Sequence, residues 1–258
     1  MTDLEVRIEG AALHLTLNRP EKRNALSLDM RQSLLDQLAY AAASPEVRTV
    51  VLRGADRHFC SGGDVSNQGG NRTGVDSVDR LLFGRRIVEA ITNLARPVIA
   101  VVEGYAVGAG FGLALACDLV VARQGAQFSA IFSRRGLVPD MGTSFFLARQ
   151  VGLHRAKEIV MTGRMMEMDE AHRLGIVAHV WPDDEFDRNL EEFIDQIASG
   201  PTVALATAKR MLNRSLDSDL STMLELETLG QALASQTGDH KRAVEAFQSK
   251  IAPDFTGR

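Results

Sequence analysis

Apolar and polar residues alternate at the start of the chain. Val6 and Ile8, then Leu13, Leu15 and Leu17, recur at every second position, the period of half-buried strands, and Glu9-Gly10 between them signals a hairpin. Asn18-Arg19-Pro20 ends the second strand. Over residues 27–43 the period lengthens. Leu34, Leu35, Leu38 and Ala42 share a helical face, Ser27 stands at the N-cap and Ser44-Pro45 stops the run. Thr49 to Leu52, closed by Gly54, and Pro97 to Val102 are short apolar runs of the kind that strands buried on both faces show. Residues 61–79 are polar and glycine-rich and predict a loop or mobile helix, and 80–94 predict a helix. Gly104 to Ala122 reads as turn, helix, strand. This alternation lasts to about residue 180 and favours an α/β architecture. From Asp183 onward the pattern is nearly all helical, broken at Gly200-Pro201. We therefore expect a core over residues 1–190 and a helical region over 191–258.

Composition narrows the class. With 45% hydrophobic and 24% charged residues, 258 residues make an ordinary globular protein with a sizeable core. A net charge of −4 lacks the basic face that nucleic acid requires. Cys60 and Cys117 cannot supply a disulfide framework or a four-cysteine zinc site, so a reducing compartment is expected. Met1 to Glu5 lacks the basic-then-apolar plan of a signal peptide, and no apolar run approaches the ~18 residues of a membrane span. A cytoplasmic protein without nucleic-acid or membrane partners is the expectation.

The glycines are unevenly placed: 11 of 22 fall between Gly54 and Gly112. Two clusters, Ser61-Gly62-Gly63-Asp64 and Gly104 to Gly112, each follow a buried strand. Small residues let a ligand approach the backbone, and amides at a helix N-terminus bind phosphate, carboxylate or a developing oxyanion. Either cluster alone is ordinarily a tight strand-to-helix turn. Two at neighbouring strand ends point to a ligand. A dinucleotide site fits poorly, because Leu113 replaces the third glycine of G-x-G-x-x-G, and no G-x-x-x-x-G-K-[ST] loop occurs. Cys60 and Ser61 sit in no nucleophile elbow. His58 reads as an exposed turn residue, and His172 and His179 have no metal-ligand spacing. In a third segment, Gly136 to Gly142, Asp140 precedes an expected helix over 144–151. Locally, that aspartate reads first as an N-cap and second as a general acid/base.

Taken together, Asn18 to Leu26, Phe59 to Asp64, Gly104 to Gly110, Cys117-Asp118, Gly136 to Gly142 and Gly175-Ile176-Val177 resemble the crotonase (enoyl-CoA hydratase/isomerase) superfamily over essentially the whole chain. The resemblance implies a spiral of ββα repeats with a helical C-terminal trimerisation region, stacked as a trimer or a dimer of trimers. It implies acyl-CoA substrates and no permanently bound cofactor or metal, CoA arriving as part of the substrate. The backbone amides of Gly63 and Ala109 correspond to the family's oxyanion hole. Arg19, Lys22, Arg23 and Ala25 correspond to its CoA border, and Ser61, Gly62, Asp64, Gly108 and Phe132 line the same site. Phe247 and Lys250 resemble C-terminal residues that complete the CoA site, from a neighbouring subunit in some members.

The departures from the family pattern bear on the chemistry. The two glutamates of family hydratases are replaced by Gly112 and Phe132, which neither activate water nor deliver a proton. Asp140 matches the acidic residue of members that shift double bonds, the ring-opening epoxyphenylacetyl-CoA isomerases among them. The resemblance therefore implies an isomerase with Asp140 as single acid/base, in a pocket that Phe132 dries. Burial there should raise the carboxyl above its ~3.9 reference. A hydrolase-like or dehalogenase-like CoA enzyme, residual hydratase activity, and a non-catalytic CoA binder are the alternatives. Phe83, Phe128, Ile131, Phe132 and Phe145 are candidates for an acyl chamber, although spaced aromatics ordinarily belong to a core. The stretch 65–79 is expected to shape its far end.

Overall fold

The computed structural model describes residues 2–64 and 74–258. Two antiparallel strands, β1 (Leu4–Glu9) and β2 (Ala12–Leu17), form the expected hairpin. Helix α1 (Leu28–Ala43) starts at Ser27, whose hydroxyl accepts from the Met30 amide, an N-cap worth about 1 kcal/mol. There follow β3 (Thr49–Gly54), α2 (Gly74–Asn93), β4 (Val98–Val102), β5 (Tyr105–Val107), α3 (Ala109–Ala116), β6 (Leu119–Arg123) and β7 (Gln127–Ser129). A 3-10 helix, Ile131–Arg135, leads to α4 (Thr143–Val151), α5 (Leu153–Thr162), β8 (Met166–Glu167), α6 (Met168–Arg173) and β9 (His179–Trp181). The chain ends in α7 (Phe186–Ala198), α8 (Thr202–Arg214), α9 (Leu220–Ser235) and α10 (Gly238–Ser249).

The large sheet has the order β1-β2-β3-β4-β6-β9, parallel apart from the first pair, and a second sheet has the order β5-β7-β8. In β4-β5-α3 and again in β6-β7 the first strand joins the large sheet and the second joins the small one. Single bridges, Cys60 to Ala106 and Leu26 to Gly63, extend the small layer. This is the ββα spiral. One sheet face holds the main core, including Leu13, Leu15, Leu52, Ala100 and Val120. The other carries Val51, Ile99, Val101 and Val121 beneath Phe186, Leu190 and Ile194 of α7.

Several sequence expectations need correction. Val6 and Ile8 stay 46% and 45% exposed, because β1 is the edge strand. Ala42 is exposed and Ala41 takes its place on the buried face of α1. Residues 105–107 are a strand rather than part of a turn, too short for its period to register. Helix α2 begins at Gly74, earlier than the expected start at 80 and inside the stretch read as loop or mobile helix; residues 65–73 of that stretch lie outside the described residues. Helix α7 spans residue 190 and packs its apolar face on the large sheet, and α8 to α10 form the helical appendage that follows it. Lys209 of α8 ties that appendage down. Its Nζ lies 2.7 Å from Asp118 Oδ2 and donates to the Ile91 and Arg96 carbonyls. Among the described residues no helix is long and apolar enough to cross a membrane.

Candidate active site

Close backbone packing builds the two glycine arms. At Gly54, where the first arm leaves β3, a Cβ would lie 1.8 Å from the His58 carbonyl oxygen. Buried Asn24, in the left-handed region at φ 58°, holds this turn. Its Nδ2 donates to the Ala55 and His58 carbonyls at 2.9 and 2.6 Å, and its Oδ1 accepts the Arg19 amide at 3.0 Å. The second arm turns at Gly108, whose φ of 57° and ψ of −122° suit glycine alone. Its amide donates to the Ser129 carbonyl at 2.8 Å. The arms abut: a Cβ on Gly110 would lie 2.3 Å from the Cys60 carbonyl oxygen, and one on Gly62 3.0 Å from that of Val107.

Both arms end in unused donors. Among the described residues neither the Gly63 nor the Ala109 amide makes a hydrogen bond, and both residues line one cleft. Ala109 opens α3, so its amide also carries the positive end of a helix. At the buried Ala109 an unmade hydrogen bond costs about 1–3 kcal/mol, and an oxygen anion between the two amides relieves that cost.

Asp140 faces the same cleft, which has a volume of about 190 Å³. Its carboxylate does not cap α4, contrary to the local reading. Gly142 occupies the N-cap without a side-chain bond, and it is the main-chain carbonyl of Asp140 that accepts the Thr143 amide and hydroxyl, at 3.0 and 2.7 Å. Asp140 lines the cleft, with its carboxylate Oδ1 buried. Gly112 lies directly behind this turn. A Cβ there would meet Thr143 Oγ1 at 2.6 Å and Met141 Cβ at 2.7 Å, so no side chain fits. Phe132, also buried, forms part of the wall with Ile131, Leu137, Val138 and Pro139.

The structure sorts the remaining expectations. Gly62, Gly63, Ser61, Gly108, Ala109, Phe132 and Asp140 come together in the cleft. Arg19 and Asp64 pair with each other at 2.9 Å, the arginine side chain 13% exposed, and Lys22 lies 3.3 Å from the same carboxylate oxygen. The Ala25 carbonyl accepts from Arg19, and the Ser61 hydroxyl donates to the Lys22 carbonyl. These contacts fasten the 19–25 strip to the first arm, while Arg23 lies over the Tyr105 ring. Phe247 is 85% exposed at the end of α10 and, like Lys250, is not part of the cleft. Of the five apolar candidates only Ile131 and Phe132 line it. Phe128 packs on Phe111 in the core, and Phe145 lines a separate groove under Arg149. Leu81 and Arg135 line the cleft without having been singled out, and Leu137 and Val138 of the third segment join them. The one available signal was the Arg134-Arg135 pair beside Gly136. His58 is half-buried and stacked on Tyr105, not exposed.

Other chemistries find little support. Burial pushes the Cys60 thiol up to about 12 and Cys117 further, which leaves both neutral. Among the described residues no three histidine, cysteine, aspartate or glutamate side chains gather as a metal-ligand set. A larger groove, about 860 Å³, lies on the opposite face of the large sheet, but Arg53, Glu103, Arg123 and Asp187 there pair with one another.

Known proteins resemble this chain in sequence and in fold. The family model described as enoyl-CoA hydratase/isomerase matches residues 7–258. A 1,2-epoxyphenylacetyl-CoA isomerase of Escherichia coli is 34% identical over 97% of each chain. The crystal structure of an enoyl-CoA hydratase/isomerase from Cupriavidus metallidurans superposes with a TM-score of 0.90 at 36% identity, covering 100% of this chain and 97% of that one. That of an enoyl-CoA hydratase from Polaromonas sp. JS666 does so with a TM-score of 0.92 at 33% identity, covering 98% and 99%.

Proposed function

The chain belongs to the enoyl-CoA hydratase/isomerase family and has the crotonase fold, and from that premise we propose that it isomerises enoyl-CoA thioesters with Asp140 as the single acid/base. The observation that carries this reading is the turn at 140–143. It leaves one carboxylate in a cleft with two unused amides and fills the space in which a side chain at 112 would stand.

The thioester oxygen of a 3-enoyl-CoA lies between the Gly63 and Ala109 amides. Asp140 removes a proton from the α-carbon, and the electron pair delocalises onto the thioester oxygen as a dienolate, where the amides stabilise it. The same carboxyl, now protonated, returns the proton to the γ-carbon. The double bond moves from the 3,4 to the 2,3 position, and no atom is gained or lost. Phe132, buried in the wall, puts an apolar side chain where a hydratase glutamate would handle water. CoA lies along the 19–25 strip with Lys22 and Arg23 at its border. No permanently bound cofactor takes part.

We read the appendage as the contact between subunits of a trimer. Leu220 and Leu224, and on the opposite side of α9 Leu229 and Leu233, are exposed in the single chain, each pair one turn apart. Phe247 and Lys250, remote from the cleft of their own chain, then serve a neighbour's site. A cytoplasmic location agrees with neutral thiols and CoA substrates.

The test is a screen of 3-enoyl-CoA and 2-enoyl-CoA by product mass and by the ultraviolet absorbance of the conjugated thioester, with Asp140→Asn alongside. Conversion of the 3-enoyl compound that disappears in the variant is the expected result. Hydration of the 2-enoyl compound at an equal rate, or full activity in Asp140→Asn, rules the proposal out.

A further inference from the structure

The cleft carries a charged side chain that the isomerisation does not use. Arg134 and Arg135 both fall in the last turn of the 3-10 helix, where Gly136 turns the chain. They part company there. Arg134 donates Nε to the Thr162 carbonyl at 3.2 Å. Arg135 lines the cleft, and its side chain makes no hydrogen bond or ion pair among the described residues. Its neighbours on the wall, Ile131, Phe132, Leu137 and Val138, are apolar. A guanidinium presents several donors in a planar fork and matches a carboxylate in a two-point contact. Arg135, like Leu137 and Val138, stands at the exposed rim of the cleft, within reach of an incoming ligand.

We propose that Arg135 recognises an anionic group, specifically a carboxylate, on the acyl portion of the thioester, so that short acyl-CoA substrates with a free distal carboxylate are preferred. The inference rests on reading the cleft as the acyl-CoA site. The cleft that holds Arg135 also holds Asp140 and the Gly63 and Ala109 amides, so a distal group that reaches the arginine belongs to a short acyl chain. The other source of anionic oxygen is the phosphates of CoA. Those have Lys22 and Arg23 on the 19–25 strip beside the first arm, a different element from the one that bears Arg135.

Dissociation constants and kcat/KM are to be measured for the native protein, Arg135→Leu and Arg135→Lys. The ligands are 3-hexenedioyl-CoA, with its distal carboxylate free, 3-hexenoyl-CoA, which ends in a methyl group, and CoA itself. The native protein is expected to bind the carboxylate thioester about 10-fold or more tighter than the methyl one, the range of a charge-assisted contact. Arg135→Leu should bring that ratio to about one, and Arg135→Lys should keep its direction. A native ratio of one, or an equal loss of affinity for all three ligands in Arg135→Leu, overturns the proposal; the second outcome assigns the arginine to CoA phosphate. Turnover reports separately. Selective binding with no isomerisation of either thioester defeats the isomerase reading alone, and isomerisation of both without preference defeats the carboxylate alone.

Discussion

The cleft and the groove on the opposite sheet face differ in what their polar groups do. The groove is larger, about 860 against 190 Å³, and holds more charge. Its charges answer one another. Buried Glu103 accepts from Arg53 and from Arg123, each at 2.8 Å, and Arg123 reaches on to Asp187 at 3.0 Å and stacks over Phe186. In the cleft the Gly63 and Ala109 amides and the Arg135 guanidinium make no such bond among the described residues. Completed polar groups brace a sheet, whereas donors left open in a small apolar cavity await a ligand. Size alone points to the wrong place.

Substitutions on the two sides should therefore separate activity from stability. The largest effect is expected from Asp140→Asn, which should lower kcat for a 3-enoyl-CoA by about 10²–10⁴-fold with little change in the thermal midpoint, since asparagine keeps the side chain's size and the main-chain carbonyl that holds Thr143. A midpoint that falls by several degrees would falsify that separation. Next comes Gly108→Ala. The left-handed turn at φ 57° must open, and kcat should drop by about 10²–10³-fold as the Ala109 amide moves; KM for the thioester, measured in the same assay, should change far less.

On the groove side the order reverses. Glu103→Ala leaves Arg123 buried without its main partner and should cost about 3–5 kcal/mol in urea unfolding, with turnover per folded molecule unchanged. If turnover falls with stability, the groove is coupled to the site. The smallest effect concerns His14, which borders the groove. Burial, with Arg7 and Arg53 nearby, holds its pKa below the ordinary 6.5, although Glu9 pulls the other way. The folded state thus favours neutral imidazole. Its contribution is complete above about pH 6.5 and is lost as the pH falls through the depressed folded value. Urea midpoints taken at pH 7.5 and pH 5 should fall more for the native protein than for His14→Gln.

Much of this division was legible in the sequence, for identifiable reasons. The crowding of glycine over 54–112 marks places where backbone approaches backbone, as Gly54 does His58 and Gly110 does Cys60. Ser27 and the apolar runs of β3 and β4 act locally, and the structure bears them out. What failed depends on a partner distant in sequence. Asp140 reads as a cap because local sequence cannot show that its main chain serves Thr143 instead. His58 reads as exposed because Tyr105, on which it stacks, lies far along the chain. The periodicity of α7 was seen, but not the sheet face it covers. Arg135 went unnoticed because a pair of arginines gives no hint that only Arg134 finds a partner.

Gly112 bears on how activities diverge within one scaffold. The volume a side chain would need there is filled by the chain itself, by Met141 and Thr143. Installing a glutamate by a single codon change would drive it into that turn, and only a simultaneous change at 140–143 makes room. A two-glutamate relative therefore differs from this chain in three places together, at 112, at 132 and in the turn at 140–143. Divergence across that gap is slow in either direction, and directed evolution toward hydration should begin by rebuilding the turn.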